Sequence, residues 1–558
     1  MHLLARRREA IRAALAAAHA AARAAGELPA LALPSFALEE PRGGAHGDLA
    51  CNLALLLGKA AGLAPRDVAA ALLAQLPPGS VPDLERAEIA GPGFLNFHLR
   101  PGWLGAAVDE ALAAGPRYGC SEAGAGRRVL VEFVSANPTG PLNVVNCRAA
   151  AFGDALVRCL RAAAYAAEAE YYVNDAGGQF RKLGASLEAR LRQRRGEAAE
   201  IPEGGYPGEY LLEVAEAYAA EHGSAILEAP PQQRGEALGR FAVQRLLEGQ
   251  LRDLERFGVR YDHLTYESAI RAAGGPEAVV EGLVAAGRTA ERDGALWLLT
   301  AGHGDNDDRV LRKGDGDFTY RVPDIAYHVD KFRRGYALLI DIVGQDHHGD
   351  LPGVRLGLQW LGLPVDRLQV LITQLIRLVR DGQDAGRVSK RGGNFIAMRE
   401  FLDEVGVDAA RFFFLMRTIE NHMEFDVDLA RRRSQENPVY YVQYAHARIC
   451  SILRQAGAQD AGGPAATGLL IHPAEQALCR SLAALPDEVL AAAEGRAPHR
   501  LTIYARTVAE HFHTFYVQCR VLGEAPEVTA ARLALCRATQ IVLRNVLELL
   551  GVSAPEQM

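Results

Sequence analysis

The stretch VEFVSANPTGPLNVVNCR, Val131–Arg148, decides how the rest of this chain is interpreted. It begins with a short apolar run of strand-forming residues around Phe133. Two prolines and a glycine in Asn137–Pro141 then rule out a helix or an inner strand. An Ala- and Leu-rich helical pattern, AAAFGDALVRCLRAAA, follows. Strand, turn and helix start form the phosphate site of doubly wound α/β folds, but most such units bind nothing, so the turn alone leaves phosphate binding open.

Length and composition indicate a multidomain globular protein. The chain has 558 residues, of which 49% are hydrophobic and 23% charged, and this length predicts about three or four domains. No uninterrupted apolar run is long enough to span a membrane. The formal charge of −7 gives no global nucleic-acid signal, so a polyanionic partner would need local basic patches. The cysteines are scattered without a C-x-x-C pair, which argues against disulfides or structural zinc and predicts a reducing cytoplasm.

The Arg- and Ala-rich N-terminus fits either a transit peptide or an amphipathic helix, and Glu9 and the apolar period favour the helix. Residues 1–115 then predict an α+β domain. Strand and helix patterns alternate over residues 120–425, apart from a mostly helical insertion at about 181–300. Residues 426–558 predict an antiparallel bundle of about five helices. The predicted fold is therefore an α/β Rossmann-type domain with a parallel sheet, flanked by an N-terminal α+β domain and a C-terminal all-α helix bundle. Its predicted strands are 127–135, 167–175, 336–344 and 368–379.

Unusual polar residues cluster in the α/β part, mostly after strands, where α/β sites lie. The adjacent histidines His347 and His348 could bind a metal, but neighbouring side chains at a strand end point apart, so we predict no metal site. The loop Arg387–Asn394 has three cations and two glycines and could close an ammonium group over a polyphosphate. The stretches are Glu132–Asn137, Tyr171–Asp175, Tyr320 with Asp324, Gln345–Gly349 and Arg387–Asn394.

Aromatic residues lie along the first helix of the C-terminal segment, among them Tyr440, Tyr444 and His446. Such a stripe usually belongs to a core. Beside Arg448, the same residues could stack on single-stranded bases. The residues alone leave both interpretations open.

The order of these stretches is more specific than any one of them. Across nearly its full length the chain closely resembles the bacterial arginyl-tRNA synthetases, a family of class I aminoacyl-tRNA synthetases. The matching blocks, in the family's order, are SANPTGPL, YYVNDAG, DIAYHVDKF, DHHG, VSKRGGNF, VDAARFFFLMR, NPVYYVQYAHARICSIL and the ending LLGVSAPEQM.

The resemblance implies a two-step reaction. This family joins arginine to ATP, giving arginyl-adenylate and pyrophosphate, and then passes arginine to the terminal adenosine of its tRNA, typically with tRNA bound from the first step. The Rossmann domain would hold ATP and arginine, the N-terminal domain would contact the tRNA elbow, and the helical domain would read the anticodon region. The implied partners are arginine tRNA, L-arginine and ATP with Mg²⁺, without a tightly bound cofactor or a membrane. We also expect a cytoplasmic monomer.

The resemblance also assigns residues. A guanidinium is a planar fork of donors that carboxylates can accept, and Glu132 and Asp324 would supply them, with Tyr320 giving a further oxygen. Asn137 and Gln345 would hold the amino-acid end. Lys390, with Ser389 and Arg391, would stabilise the departing pyrophosphate. The implied ATP-binding residues are Pro138, Thr139, Gly140, Pro141, Leu142, Asn143, Asn146 and Arg148. The implied tRNA-binding residues are Tyr440, Tyr444, His446 and Arg448.

The chain departs from the family in one signature. Where the family has His-Val-Gly-His-Gly, this chain has Asn143-Val144-Val145-Asn146-Cys147. The family's histidines donate hydrogen bonds to ATP phosphates, and losing one transition-state donor typically costs about 2.7–4 kcal/mol. Valine at 145 places a branched side chain where glycine lets adenine approach the backbone. Milder departures are Gly178, Val388 and Val517.

Three hypotheses follow. We expect an arginyl-tRNA synthetase with weakened use of ATP. The alternative is a synthetase-like chain that binds tRNA without activating arginine. A third hypothesis, another Rossmann nucleotidyltransferase, is disfavoured by the arginine-pocket residues and the helical tail.

Overall fold

The N-terminal part is an α+β unit built on an antiparallel sheet. The structure, a computed structural model, describes residues 2–41, 47–345, 349–387, 396–457 and 466–558. Within these ranges no helix combines the length and apolarity needed to cross a bilayer. The sheet order is β1-β2-β4-β3. The elements are α1 (Leu3–Ala24), β1 (Leu38–Glu39), β2 (Leu49–Cys51), α2 (Leu53–Ala61), α3 (Pro65–Ala74), β3 (Leu84–Ala90), β4 (Phe94–Leu99) and α4 (Gly105–Ala114).

The central unit is a five-stranded parallel sheet of order β12-β11-β5-β6-β7, which confirms the predicted Rossmann-type architecture. Its middle strands are apolar runs, as expected for strands covered on both faces. The elements are β5 (Arg128–Phe133), α5 (Val144–Ala162), β6 (Ala166–Val173), α6 (Gly177–Arg194), α7 (Tyr210–His222), α8 (Pro231–Arg256), β7 (His263–Tyr266), α9 (Glu267–Ala272), α10 (Gly275–Ala285), β8 (Thr289–Arg292), β9 (Ala295–Leu298), β10 (Arg309–Arg312), α11 (Arg321–Arg333), β11 (Leu338–Gly344), α12 (Leu351–Trp360) and β12 (Leu368–Thr373).

Two details differ from the sequence-based expectation. The apolar run 368–379 is not one strand, because the chain leaves the parallel sheet after Thr373 and enters a second sheet of order β14-β13-β15. The insertion is mostly helical, as predicted, in α6–α10, but it also contains β7, which returns to the parallel sheet as an edge strand, and β8 and β9, which form a small antiparallel sheet with β10. The connecting elements are β13 (Ile376–Arg380), β14 (Gln383–Arg387), α13 (Met398–Val405), α14 (Val407–Leu415), β15 (Met423–Asp426) and α15 (Val427–Arg431).

The C-terminal unit is all helical in its described part, where the short helix α15 precedes four long helices. They are α16 (Pro438–Gln455), α17 (Pro473–Glu494), α18 (His499–Gln518) and α19 (Pro526–Leu550). The last helix begins with Pro526 in its first turn and is followed by Gly551 in the left-handed region (φ 67°), which stops the helix. This unit packs on the N-terminal one, where Arg480 pairs with Asp48 at 2.7 Å.

A fully buried arginine joins the central unit to the C-terminal helical unit. Arg411, on α14, pairs with Asp154 of α5 and donates to the backbone carbonyls of Phe257 and Leu550, each at 2.9 Å. Its guanidinium therefore ties the middle of α5 to the ends of α8 and α19. Asp154 also accepts from Arg158 at 2.8 Å, but the Arg158 side chain is one-third exposed.

We expect Arg411→Met to lower the Tm strongly, because it leaves Asp154 and two carbonyls without their buried donor. Breaking a buried pair typically costs about 3–5 kcal/mol. Arg158→Met is the matched control, since it removes a partly exposed partner of the same carboxylate and should cost at most about 1 kcal/mol. Thermal unfolding monitored by circular dichroism compares the two variants. Equal Tm values for both would refute the role given to Arg411.

Candidate active site

Three acidic residues lie in register across the middle of the parallel sheet. Glu132 on β5 is aligned with Asp341 on β11 and with Glu170 on β6. Residues in register on parallel strands point to the same face. Asp341 and Glu170 are buried, and the Glu132 side chain is 12% exposed. Buried carboxylates require charged or hydrogen-bonding partners. The element that packs on this face of the sheet must therefore supply cations or hydrogen-bond donors.

Helix α11 supplies those partners. The fully buried Lys331 ammonium pairs with Glu132 and, at 2.7 Å, with Asp341 Oδ1. His328 Nε2 lies 2.7 Å from Asp341 Oδ2. At the other end of the row, Arg334 donates to Glu170 Oε1 at 2.8 Å, and the Tyr327 hydroxyl donates to the same oxygen at 2.6 Å.

The network reaches the first turn of α11 through Asp324. The carboxylate of Asp324 lies 3.2 Å from His328 Nδ1 and is 40% exposed. Among the described residues, ion pairs link Asp324, His328, Asp341, Lys331 and Glu132 into one network of three carboxylates and two cations. Arg334 pairs separately with Glu170 and, at 3.1 Å, with Asp330. One negative charge is left over, and the two more exposed carboxylates, Glu132 and Asp324, are those that the sequence assigned to a guanidinium.

The pKa values follow from this arrangement. Burial and the Lys331 charge oppose protonation of His328, but the hydrogen bonds to Asp324 and Asp341 outweigh them and raise its pKa to about 10. Burial likewise opposes ionisation of Asp341, yet Lys331 and His328 bring its pKa well below the ordinary value. Burial raises the pKa of Glu132 and the nearby Asp341 charge adds to the rise, while Lys331 and the hydrogen bond from Ser135 oppose it without cancelling it. The Glu132 carboxylate is therefore the least compensated of the row.

A strained turn directs Glu132. Val134 and Ser135, directly after β5, have φ values of 70° and 36°. Such values are rare outside glycine, cost roughly 1–3 kcal/mol each and cluster at functional sites. The turn places the Ser135 hydroxyl 2.7 Å from Glu132 Oε1, and the same hydroxyl accepts the Tyr172 N–H at 3.1 Å.

Tyr172 forms a wall of the site. Its ring stacks on Tyr327 with centroids 4.2 Å apart. Burial first, and then the carboxylates of Glu267 and Asp324, raise its pKa, with a smaller contribution from Glu132. Both predicted carboxylates, Asp324 and Glu132, thus act electrostatically on the Tyr172 hydroxyl.

The other predicted arginine-pocket residues are Tyr320, Gln345 and Asn137. In the described part of the chain, their side chains make no ion pair or hydrogen bond with the network around α11. Tyr320 is 65% exposed and donates to Asp350 Oδ1 at 2.7 Å. Gln345 is exposed directly after β11, and Asn137 is half-buried in the turn after β5.

The turn from Pro138 to Leu142 is held by the insertion. Gln250 of α8 is fully buried and donates to the carbonyls of Asn137 (3.1 Å) and Gly140 (2.8 Å), and Tyr210 of α7 donates to the Thr139 carbonyl at 2.6 Å. Sequence inspection did not identify Gln250 or Tyr210, because nothing in the local pattern links the insertion to the turn.

The segment Asn143–Cys147, where the resemblance implies an altered signature, begins with a reciprocal helix cap. Asn143 Oδ1 accepts the Asn146 N–H at 3.1 Å, and Asn146 Oδ1 accepts the Asn143 N–H at 3.0 Å. This is a capping box at the start of α5. Val145 is half-buried in the same turn, and Cys147 is buried. Both amide oxygens are used inside the helix terminus, so only side-chain NH₂ groups remain as possible donors to a ligand.

Two predicted contact residues point elsewhere. Arg148 is fully buried and donates to the carbonyls of Gln374, Thr418 and Asn421 at 3.0, 2.7 and 2.7 Å. It braces these loops against α5, so in this structure its guanidinium does not face a nucleotide. His446 is buried, and its Nδ1 lies 2.9 Å from the Pro555 carbonyl, so it packs against the C-terminal residues instead of facing a tRNA.

The remaining predicted tRNA residues form one row. The rings of Tyr440 and Tyr444 are stacked with centroids 6.3 Å apart, and Arg448 donates to the Tyr444 hydroxyl at 2.8 Å. All three are half-buried. On α18, Val517 is 83% exposed.

Some predictions fall outside the described residues. These are the loop residues Ser389, Lys390 and Arg391, the departure Val388, and the pair His347–His348. Within the described part, no group of three or more His, Cys, Asp or Glu side chains is arranged to hold a metal ion.

Several network residues were missed in the sequence although a signal existed. Asp324, His328 and Lys331 are spaced i, i+4, i+7 and so share one helix face. Asp341 interrupts the apolar run LLIDIV, and a buried acid in such a strand demands a cationic partner.

Comparison with known families places this site in a protein class. The family model "Arginyl tRNA synthetase N terminal domain" matches residues 6–99, and "DALR anticodon binding domain" matches residues 442–558. A parallel Rossmann-type sheet between these two units defines an aminoacyl-tRNA ligase.

Curated relatives specify the family. The chain is 46% identical over 552 residues to an arginine–tRNA ligase of Symbiobacterium thermophilum, covering 98% of each chain. It is 47% identical over 562 residues to one of Moorella thermoacetica, covering all of both. The chain belongs to the arginine–tRNA ligase family.

Solved structures agree with the fold. A putative arginyl-tRNA synthetase from Campylobacter jejuni superimposes with a TM-score of 0.76 at 32% identity, covering 82% of this chain and 100% of the other. The arginyl-tRNA synthetase of Thermus thermophilus gives a TM-score of 0.74 at 24% identity, covering 99% and 100%, and supports the fold alone.

We expect the His328 imidazole to remain protonated up to about pH 10. Because its pKa is raised on folding, its contribution to the free energy of unfolding is complete below the unfolded value and is lost as the pH rises through about 10. Histidine-selective NMR titration measures this, with His328→Gln assigning the signal. His446, whose pKa is lowered chiefly by burial, is the internal control. A His328 midpoint below pH 7 would contradict the network.

Proposed function

We propose that this chain joins L-arginine to arginine tRNA at the expense of ATP, and that its altered signature weakens the ATP-dependent step. The observation that carries this proposal is the single uncompensated negative charge of the α11 network, which is exposed at Glu132 and Asp324. A substrate guanidinium would supply the positive charge and the hydrogen-bond donors that complete the partners of these carboxylates.

The proposed arginine pocket lies at the carboxyl edge of the sheet, where β5 meets β11. This is the point at which the strand order reverses, the usual ligand crevice of open α/β sheets. Glu132 and Asp324 would accept the guanidinium, and the exposed Tyr320 hydroxyl would add an oxygen. Asn137 and Gln345 would hold the α-amino and carboxylate end.

ATP would bind along the turn Pro138–Leu142 and the start of α5. The substrate carboxylate then attacks the α-phosphorus in line while pyrophosphate leaves, so positioning and charge stabilisation dominate the chemistry. Lys390, with Ser389 and Arg391, is proposed to stabilise the leaving group. The Mg²⁺ that accompanies ATP would neutralise phosphate charge.

The start of α5 supports weakened ATP use. The histidines of the family donate to phosphates, whereas Asn143 and Asn146 bond to each other's backbone. The cap fixes the direction of each side-chain NH₂ group, and turning an amide out of the cap to reach a phosphate typically costs about 0.5–2 kcal/mol. Val145 adds a branched side chain at the same turn. These contacts favour a second candidate function, a synthetase-like protein that binds tRNA without activating arginine.

The tRNA would lie along both flanking units. Tyr440, Tyr444 and Arg448 present ring faces and a guanidinium on one side of α16, a combination suited to unpaired bases. His446 is not part of this surface, because it is buried. The N-terminal unit would contact the tRNA elbow. A monomeric state and a cytoplasmic location stay predictions.

Aminoacylation tests the proposal directly. Radiolabelled arginine, bacterial arginine tRNA, ATP and Mg²⁺ are combined with the chain, beside calorimetry of ATP binding. Slow charging supports weakened catalysis. Charging at a typical enzyme rate of about ten turnovers per second would show that the altered signature is tolerated. Bound tRNA without charging or ATP binding would favour the second candidate, and failure to bind tRNA would refute both.

We expect the triple substitution Asn143→His, Val145→Gly, Asn146→His to raise the charging rate. Each restored transition-state donor is worth roughly a hundred- to a thousandfold. The same change removes the Asn–Asn cap, so the Tm should fall while activity rises. Cys147→Gly alone is the control and should give no gain, because the buried thiol lies against the Asn143 carbonyl and its removal restores no donor to a phosphate. An unchanged rate in the triple variant would exclude these positions from the mechanism.

A further inference from the structure

We infer that Asp341, acting through Lys331 and His328, is the positioning residue that fixes both guanidinium-binding carboxylates relative to each other. This inference rests on the proposed function, because it concerns the same arginine pocket. It adds to the proposed substrate-binding residues three buried residues, Asp341, Lys331 and His328, which hold those residues in place.

The geometry gives each pocket carboxylate its own link to Asp341. One oxygen of Asp341 accepts from Lys331, whose ammonium also pairs with Glu132. The other oxygen contacts His328, whose Nδ1 lies 2.8 Å from the backbone carbonyl of Asp324 and 3.2 Å from its carboxylate, so this imidazole holds both the start of the helix and the Asp324 side chain. Glu132 is on a strand and Asp324 on a helix, so their separation depends on what connects the two elements.

Burial separates this positioning set from the substrate. Lys331 is 0% exposed, Asp341 3% and His328 7%. Glu132 and Asp324 lie between them and the pocket. These three residues therefore act on a ligand only through the carboxylates that they hold.

The double link explains why a carboxylate is required at position 341. Both neighbours donate to it, so it must accept on both oxygens. Asparagine has the same shape but only one acceptor, and its NH₂ group would face either the Lys331 ammonium or the His328 imidazole. Facing Lys331, the NH₂ group opposes the ammonium; facing His328, it requires a neutral imidazole and removes the charge that attracts Asp324. Either orientation weakens one of the two links, and the corresponding pocket carboxylate is held less firmly.

Fixed positions matter for a guanidinium more than for a simple ammonium. The guanidinium fork is planar and rigid, so two carboxylates bind it well only at a matching separation. A loosened pair would still attract a cation but would lose much of the selectivity for arginine. The network thus explains specificity as well as affinity.

The test is calorimetry of L-arginine binding to the full chain with saturating arginine tRNA and no ATP. Asp341→Asn should raise the arginine Kd about ten- to a hundredfold, the range seen when the outer partners of metal ligands are removed, and leave the tRNA Kd unchanged. Asp154→Asn is the matched control, since it also neutralises a buried aspartate of an ion pair but lies at the Arg411 joint. It should lower the Tm without changing the arginine Kd.

His328→Gln tests the second link even if Asp341→Asn does not fold. In the wild-type background it should raise the arginine Kd about tenfold, the lower end of the range expected for Asp341→Asn. In an Asp324→Asn background it should have little further effect, because His328 acts through Asp324. A purely structural role would give the same effect in both backgrounds and would overturn the inference.

The outcomes separate the two proposals. Failure of the unmodified chain to bind arginine would overturn the proposed function and this inference with it. Arginine binding by the unmodified chain that is unaltered by both Asp341→Asn and His328→Gln would overturn only the inference.

Discussion

The row of buried carboxylates across β11, β5 and β6 is the constraint on which the site depends. Three acids in register on neighbouring parallel strands repel one another and cannot stay ionised in a sheet without cations. Helix α11 brings those cations on one face, which fixes how the helix lies over the sheet. The same packing leaves one carboxylate charge unmatched at the sheet edge. Under the proposed function, the same electrostatic arrangement neutralises the buried acids and leaves a negative charge for the substrate guanidinium.

Helix α5 links that arrangement to the rest of the molecule. Its first turn is the altered signature, and its middle carries Asp154, which pairs with the buried Arg411. Arg148, one turn into the helix, holds the loops before β13 and β15. The turn Pro138–Leu142 is thus attached to a helix that contacts both the second sheet and the helical unit. This attachment holds the surroundings of the turn in place independently of the residues Asn143–Cys147.

Asn143 and Asn146 illustrate how a polar residue can fit a position without keeping its role. Each forms a good helix cap, which is what asparagine does best at a helix start. The cap uses the oxygen atoms that face the backbone, so the helix terminus is satisfied internally. The cap thus occupies the acceptor oxygens and fixes the direction of the NH₂ donors.

Much of the fold could be predicted because it depends on local patterns. The apolar runs of β5, β6 and β11 and the turn before α5 gave the parallel sheet, and the family's ordered blocks gave the two flanking units. The run 368–379 was mistaken for one strand, since hydrophobicity does not reveal which sheet a strand joins. Arg148 and His446 were placed at ligands by motif, but burial turned both toward backbone carbonyls.

The sequence by itself determined the fold class, the family and the acids and tyrosines available for the site, because these follow from periodicity and from residues in a fixed order. Only the tertiary structure decided which of them act together. The alignment of Asp341, Glu132 and Glu170 depends on strand register, and the links through Lys331 and His328 depend on how α11 packs. Register and packing arise from contacts between residues distant in the chain, so no local pattern contains them.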